Sequence, residues 1–331
     1  MGQTAVDVIL EQQERHLVGG RGYGLDLLEN LQAIGLLFDE ALDTANLPLD
    51  SPQPVEQLAA VLGVGVAEMG GVRIGAHTRG KYACATMPRA MSDLERHELI
   101  SPIDRVLVIF SHPDDAEFSA AATIATLAAG ARVDYLVTTD GGKGTEDPAV
   151  TSAQLTATRV AEQRAAADLL GVSEIVHLGY PDGYLTPSLE LRRDIVRQIR
   201  RLRPDLVIAQ NPVRRMDGNP FIGHPDHLAT GEATLAAVYP AARDRLNFPE
   251  LLSEGLEPWK VRQVLVSGVE RANLYVDVSR QFERGLRALL CHGSQIADPV
   301  AVEERVRQRA AEAGQPVGLP LANAFLSILL T

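Results

Sequence analysis

Two short stretches of the chain share the tripeptide His-Pro-Asp: Ser111-His112-Pro113-Asp114-Asp115-Ala116-Glu117 and Gly223-His224-Pro225-Asp226-His227. Imidazole and carboxylate are both good zinc ligands, and a catalytic zinc takes three protein ligands and leaves a fourth position open to water. His112 and Asp115 can turn inward together at a strand-to-helix corner. A helix starting near Pro225 places His224 and His227 about one turn apart on one side, so one can bind metal while the other faces substrate. Asp114, beside Asp115, offers a second carboxylate, suited to take the proton of a water whose pKa a metal has lowered to roughly 7.

Each feature also has an ordinary structural explanation. Asp114-Asp115-Ala116-Glu117 fits a helix capping box, with Asp114 as N-cap and Glu117 at the third helical position. Pro225 is a normal first-turn proline. The combination argues for a metal site: three of the eight histidines fall in these two segments, each beside carboxylates and each at the end of an expected strand.

The elements that must hold these residues begin near residue 100. Arg105–Phe110 reads as a buried strand, Glu117–Ala129 as a helix and Arg132–Thr138 as a second strand. Ser152–Leu170 follows as a long helix, Glu174–Leu178 as a third strand, Ser188–Arg203 as a helix stopped by Pro204, and Leu206–Ala209 as a fourth strand. Such alternation predicts a doubly wound, mostly parallel α/β sheet of Rossmann-like type with helices on both faces, whose sites form at the carboxyl ends of the strands. Val261–Ser267 and Leu274–Val278 read as further strands and Ser279–His292 as a helix. In the Ser188–Arg203 helix, Leu191, Ile195, Ile199 and Leu202 form the apolar stripe. Arg192, Arg193, Arg197, Arg200, Arg201 and Arg203 read as its solvated face. Trp259, the single tryptophan, reads as core or as pocket lining, and Cys291 as a packed helix residue.

Residues 105 to about 292 resemble the LmbE/PIG-L family of zinc-dependent deacetylases. The likeness rests on the His112 segment and its preceding strand, Thr139-Asp140-Gly141-Gly142-Lys143-Gly144, and Arg159 with Glu162. It continues through Leu178-Gly179-Tyr180-Pro181-Asp182-Gly183, the His224 segment, and His292-Gly293-Ser294-Gln295. The resemblance implies that His112, Asp115 and His227 ligate Zn2+ and that Asp114 is the general base. It implies that His224, oriented by Asp226, stabilises the oxyanion or protonates the leaving amine, and that Arg159 and Asp182 contact substrate. Arg159 has a competing role as the i,i+3 ion-pair partner of Glu162, and Asp182 in Pro-Asp-Gly is also a good turn residue. Two departures stand out. The helix after His112 carries Ser119-Ala120-Ala121-Ala122 where the family usually has small glycines, and Ile222 stands where relatives acting on actinobacterial thiols have a tyrosine.

Composition narrows the function. A formal net charge of −12 disfavours nucleic acid and anionic membrane surfaces as partners. Two cysteines far apart in sequence argue against a disulfide framework. With no signal-peptide pattern and no apolar run of about 20 residues, the expectation is a cytoplasmic protein. The expected organisation is a 1–100 extension, mainly helical and of unknown role, and a 101–331 hydrolase domain. In the extension, Leu25–Ala45 has helical spacing, Leu47–Pro54 reads as a linker, and Val55–Leu62 as a short helix with a faint helix-turn-helix flavour. Gly70–Gly80 is glycine-rich with short strands around it. The expected activity is removal of an acetyl or other acyl group from an amide nitrogen of a small sugar-like metabolite. The alternatives are amide cleavage in a thiol conjugate and a non-catalytic binding or regulatory protein on the same fold. The expected partner is the N-acylated small molecule, with a homo-oligomer possible.

Overall fold

The computed structural model describes residues 65–69, 72–76, 95–214 and 222–331, in two compact units, Met1–Met87 and Pro88–Thr331. In the first unit, β1 (Gly65–Met69) and β2 (Val72–Ala76) pair antiparallel, Gly65 opposite Ala76. The expected segments Leu25–Ala45, Leu47–Pro54 and Val55–Leu62 lie outside the described residues.

The second unit is built on a seven-stranded sheet. Its strands are β3 (Arg105–Phe110), β4 (Arg132–Thr139), β5 (Glu174–Tyr180), β6 (Leu206–Gln210), β7 (Gln263–Ser267), β8 (Leu274–Asp277) and β9 (Ala322–Leu329). The spatial order is β5-β4-β3-β6-β7-β9-β8. The first five run parallel, and β9 pairs antiparallel with both β7 and β8. In β3, Val106–Phe110 are buried without a break, the mark of a central strand covered on both faces. Alternate residues serve opposite layers. Val106, Val108 and Phe110 pack against α1 (Asp115–Leu127), α2 (Ser152–Leu170), α6 (Phe282–Leu289) and α7 (Pro299–Gly314). Leu107 and Ile109 pack against α3 (Leu189–Leu202) and α4 (Pro225–Ala236), near the short α5 (Glu250–Ser253).

The chain leaves β3 toward β4 and β5, then returns through α3 to place β6 on the other side of β3. The order therefore reverses between β3 and β6, where a doubly wound sheet opens its crevice. Both His-Pro-Asp segments follow these two strands.

Three features depart from expectation. Arg200 is not on a solvated face: it is 1% exposed and donates to the carbonyls of Ala241, Ala242, Asp244 and Asn247. A planar guanidinium can satisfy several loop carbonyls at once, so this arginine joins α3 to the segment that follows α4. Arg197 and Arg201 do face outward, paired with Glu254 and Glu174. Second, α7 and β9 complete the sheet beyond the expected elements; Asp298 caps α7 by accepting from Ala301 N–H at 3.0 Å, with Pro299 in the first turn. Third, α1 carries alanines where the family usually has glycines, and the glycine at this contact lies on the facing helix. A Cβ at Gly285 of α6 would lie 2.8 Å from Ala122 N and 3.1 Å from Ala121 Cβ. Trp259 joins the core, and its indole N–H donates to Pro204 O at 2.7 Å, at the start of β6, the end opposite the crevice. Cys291 packs half-buried just past α6.

Among the described residues, no helix is long and apolar enough to cross a membrane.

Candidate active site

β3 ends at Phe110, and the next residues turn into α1. Ser111 is anchored by Gln210 at the end of β6: its N–H and hydroxyl both donate to Gln210 Oε1, at 3.0 and 2.7 Å. The same Gln210 donates through Nε2 to Asp115 Oδ2 at 3.0 Å, which also accepts the His112 N–H at 2.8 Å. From the other strand, Pro225 opens α4 and His224 is its N-cap, so His227 sits within the first turn.

These two corners bring three side chains into a triangle. His112 Nδ1 lies 3.2 Å from His227 Nε2 and 3.3 Å from Asp115 Oδ2, and His227 Nε2 lies 3.0 Å from Asp115 Oδ1. Three donors on a tetrahedral zinc, with bonds of about 2.0–2.1 Å, stand roughly 3.3 Å apart. Two overlapping groups, His112/His224/His227 and His112/Asp182/His224/Asp226, also bring possible ligand atoms within 4.8 Å of one another. In the second group the carboxylates approach the opposite ring nitrogen: His112 Nε2 is 3.1 Å from both Asp182 Oδ1 and Asp226 Oδ2. A carboxylate on the far nitrogen of a ligating imidazole fixes its tautomer and ring orientation.

Asp226, 0% exposed, also accepts the N–H groups of Gly183 and Leu185 at 2.7 and 3.1 Å. Its carboxylate therefore serves His112 and the Pro181–Leu185 turn. Toward His224 it acts through its backbone, whose N–H donates to His224 Nδ1 at 3.2 Å, whereas its carboxylate is 3.9 Å away. A His224 that accepts at Nδ1 carries its proton on Nε2. Burial, followed by the charge of His112, lowers its pKa, in keeping with a neutral ring.

Asp114 and Asp115 are pushed apart electrostatically. Burial opposes the Asp115 charge, but His227 and His112 outweigh it and hold the carboxyl well below its usual range. Asp114 is pushed up to about 7, by burial first and then by the Asp115 charge, with Arg159 pulling the other way. Burial also opposes a proton on His112, yet Asp115, Asp182 and Asp226 push it up to about 12.

The capping-box reading of Asp114 does not hold. Asp114 precedes α1 with φ 109°, a left-handed conformation, and its side chain caps nothing. Such a conformation in a non-glycine residue costs on the order of 1–3 kcal/mol and persists only where the surroundings impose it. The Asp114 carboxylate lies 3.4 Å from Arg159. Glu117 turns into the core instead, toward Tyr135, Gln163 and His292.

Arg159, 4% exposed, donates to the carbonyls of Pro113, Gly141 and Lys143 at 2.7, 3.1 and 3.1 Å. It is not the partner of Glu162, which accepts from Ser294 N–H and Oγ, both at 2.7 Å. Asp182 faces His112 through Oδ1 and accepts Lys143 N–H at 3.0 Å through Oδ2. Ile222 is 65% exposed. Sequence reasoning missed Gln210 and Gln163, which hold Asp115 and the Asp114 backbone. Neither carries a spacing signal, because each acts on a residue from a distant element.

A mostly parallel α/β sheet with a His/Asp cluster at its switch point describes an enzyme scaffold with a place for a metal. A family model described as PIG-L, GlcNAc-PI de-N-acetylase, matches residues 107–238. Diacetylchitobiose deacetylase of Thermococcus kodakarensis is 34% identical over 209 residues, spanning 63% of this chain and 76% of that one. The 1D-myo-inositol 2-acetamido-2-deoxy-alpha-D-glucopyranoside deacetylase of Kineococcus radiotolerans is 28% identical over 249 residues, spanning 66% of this chain and 65% of that one. Among solved structures, N,N'-diacetylchitobiose deacetylase from Pyrococcus horikoshii, complexed with an inhibitor, superposes with a TM-score of 0.64 at 31% identity, covering 69% of this chain and 85% of that one. The chain belongs to the PIG-L (LmbE-like) family. By class it is a metal-dependent deacetylase.

Proposed function

We propose that this protein is a zinc-dependent N-deacetylase of a small amino-sugar-like metabolite, working in the cytoplasm. The observation that carries the reading is the triangle of His112 Nδ1, Asp115 and His227 Nε2, with edges of 3.0–3.3 Å. Two imidazole nitrogens and one carboxylate suit zinc, and their separations suit its tetrahedron. We assign these three as ligands in preference to a set containing Asp226, whose oxygens already take two backbone N–H groups. A zinc held there supplies Lewis acidity and a water of lowered pKa.

The residues then divide the work. Asp114 takes the proton of the attacking water as its oxygen bonds to the acyl carbon. His224, with Nε2–H free to donate, stabilises the negative charge that develops on the carbonyl oxygen. As the carbon–nitrogen bond breaks, the proton held by Asp114 passes to the amine nitrogen, giving acetic acid and an amine, between which the remaining proton moves to leave acetate and an ammonium group. Asp226 orients His224 through its backbone and His112 through its carboxylate. The single His112 Nε2–H can serve only one of its two carboxylates fully. Asp226 takes two backbone N–H groups and is 0% exposed, whereas Asp182 takes one and is 6% exposed, and on that ground we assign Asp182 as the carboxylate that meets a substrate hydroxyl. Arg159 acts by holding the Pro113, Gly141 and Lys143 carbonyls that frame the site. The relatives named for N-acetylated sugars support the substrate class.

The test combines elemental analysis of the purified protein with amine release from a panel of N-acetylated sugars. We expect about one zinc per chain and release from N-acetylglucosamine-type substrates. Protein that holds no transition metal, and gains no activity when any is added, would sink the reading.

A further inference from the structure

Beneath Asp114 lies a buried polar group that the proposed chemistry leaves unused. Glu117 is 3% exposed, and its carboxylate accepts from Tyr135 Oη at 2.9 Å, from Gln163 Nε2 at 3.1 Å to each oxygen, and from His292 Nε2 at 3.1 Å. The three donors come from β4, α2 and the segment after α6, and all are at most 1% exposed. Among the described residues His292 Nδ1 has no hydrogen-bond partner, and Nε2 faces a carboxylate, which only accepts. The ring proton therefore belongs on Nε2, directed at Glu117.

This arrangement fixes the orientation of Gln163. A carboxylate only accepts, so Gln163 must present its NH2 to Glu117. Its Oε1 then points the other way and accepts the Asp114 N–H at 3.1 Å. The other side of the same peptide group is gripped too: Pro113 O accepts from Arg159 at 2.7 Å. The Pro113–Asp114 peptide plane is held at its carbonyl and at its N–H. From that plane the chain enters α1 through the left-handed φ of 109° at Asp114.

We propose that Gln163, locked by Glu117 with Tyr135 and His292, is the positioning residue for the base, clamping the Asp114 N–H so that the strained backbone presents the carboxylate to the reacting water. The proposal rests on the reading of Asp114 as the base. The buried acid and the late histidine then act together to set the direction of one amide.

The test uses the full-length, metal-loaded chain in five variants: Gln163→Met, Gln163→Glu, Glu117→Gln, the double variant Gln163→Glu/Glu117→Gln, and Asp114→Asn. Turnover of the best substrate from the sugar panel, bound metal, melting temperature, and hydrogen exchange at the residue 114 amide by NMR are measured on each. Gln163→Met should lower kcat about 10- to 100-fold, the scale of a misplaced catalytic group, with KM and metal content unchanged. Its residue 114 amide should exchange at least about tenfold faster, that of a hydrogen bond lost locally. Gln163→Glu should be impaired because two carboxylates then face each other. The double variant restores one donor and one acceptor in exchanged positions, and should regain most of the loss in both kcat and exchange. Wild-type kcat and exchange in Gln163→Met would overturn the proposal. So would a double variant no better than its parents, or losses of kcat that track loss of metal and melting temperature in every variant. Near-normal turnover by Asp114→Asn overturns the base assignment itself, and the exchange measurement separates that failure from the absence of a clamp.

Discussion

Asp114 and Asp115 are adjacent, yet their surroundings ask opposite things of them. Asp115 is wrapped by His112, His227 and Gln210, all of which favour its charge. Asp114 has burial and the Asp115 charge against it, and Arg159, His292 and His112 in its favour do not outweigh them. Neighbouring carboxylates with pKa values driven apart are the usual sign of divided roles. Asp114→Asn tests the division: Asn also tolerates a left-handed backbone, so the variant should fold and keep its metal. Since Asn cannot take a proton, turnover should fall by about 10²- to 10⁴-fold. Asp115→Ala should instead lower metal affinity, read by competition with a chelator. The protonation of His112 gives a pH prediction. Its pKa in the protein alone is raised to about 12, so near neutral pH Nδ1 must lose a proton before it can ligate. Metal affinity should therefore rise with pH, by about tenfold per unit for one displaced proton. Calorimetry in two buffers of different ionisation heat should count about one proton released per metal bound. An affinity indifferent to pH would remove His112 from the ligand set.

At the scale of elements, the site depends on how closely α4 sits on the end of β6. Gly231, one turn after His227, makes the contact: a Cβ there would lie 2.6 Å from Gln210 O and 2.8 Å from Pro212 N. Both atoms belong to backbone, so α4 itself must move to admit a methyl group. Gly231→Ala should cost about 1–3 kcal/mol of stability, as overpacking does. Because α4 carries His227 and Gln210 holds Asp115, the same change should pull the triangle apart and weaken metal binding. A variant that melts lower yet binds metal as tightly as before would show that the helix can adjust without carrying His227 away. Legibility also divides by element. β3 and β6 were readable as runs of buried apolar residues, and α3 by its Leu191/Ile195/Ile199/Leu202 stripe, all at most 7% exposed. Arg200 was not readable, because its four carbonyl partners lie 41–47 residues further on and backbone carbonyls leave no trace in side-chain pattern.

Over the whole molecule, the crevice was legible because parallel strands with alternating helices dictate where it opens, and both His-Pro-Asp segments fall there. The residues that tune it were not, since Gln163, Glu117 and His292 meet only after distant elements have folded together, as do Gln210 and Asp115. Residues 97–100 precede the first strand of the large sheet, yet they are stitched to its far side. His97 N–H donates to Asn273 O at 2.8 Å, and its Nδ1 lies 3.2 Å from Ser327 Oγ. Gln263, 0% exposed, accepts Ile100 N–H at 3.0 Å and donates to Glu98 O at 2.8 Å. Asn273, Gln263 and Ser327 belong to the β8, β7 and β9 side, where the sheet turns antiparallel. A chain beginning at Ser101 loses these bonds and leaves the Gln263 carboxamide short of two partners, whereas a chain beginning at Pro88 keeps them. Stripping partners from a buried amide costs about 1–3 kcal/mol. The shorter chain should therefore unfold at lower denaturant concentration than the chain from Pro88, with metal affinity unchanged, because the triangle sits on β3 and β6 rather than on this edge. Equal midpoints for the two chains would mean that residues 97–100 lie against the sheet without stabilising it.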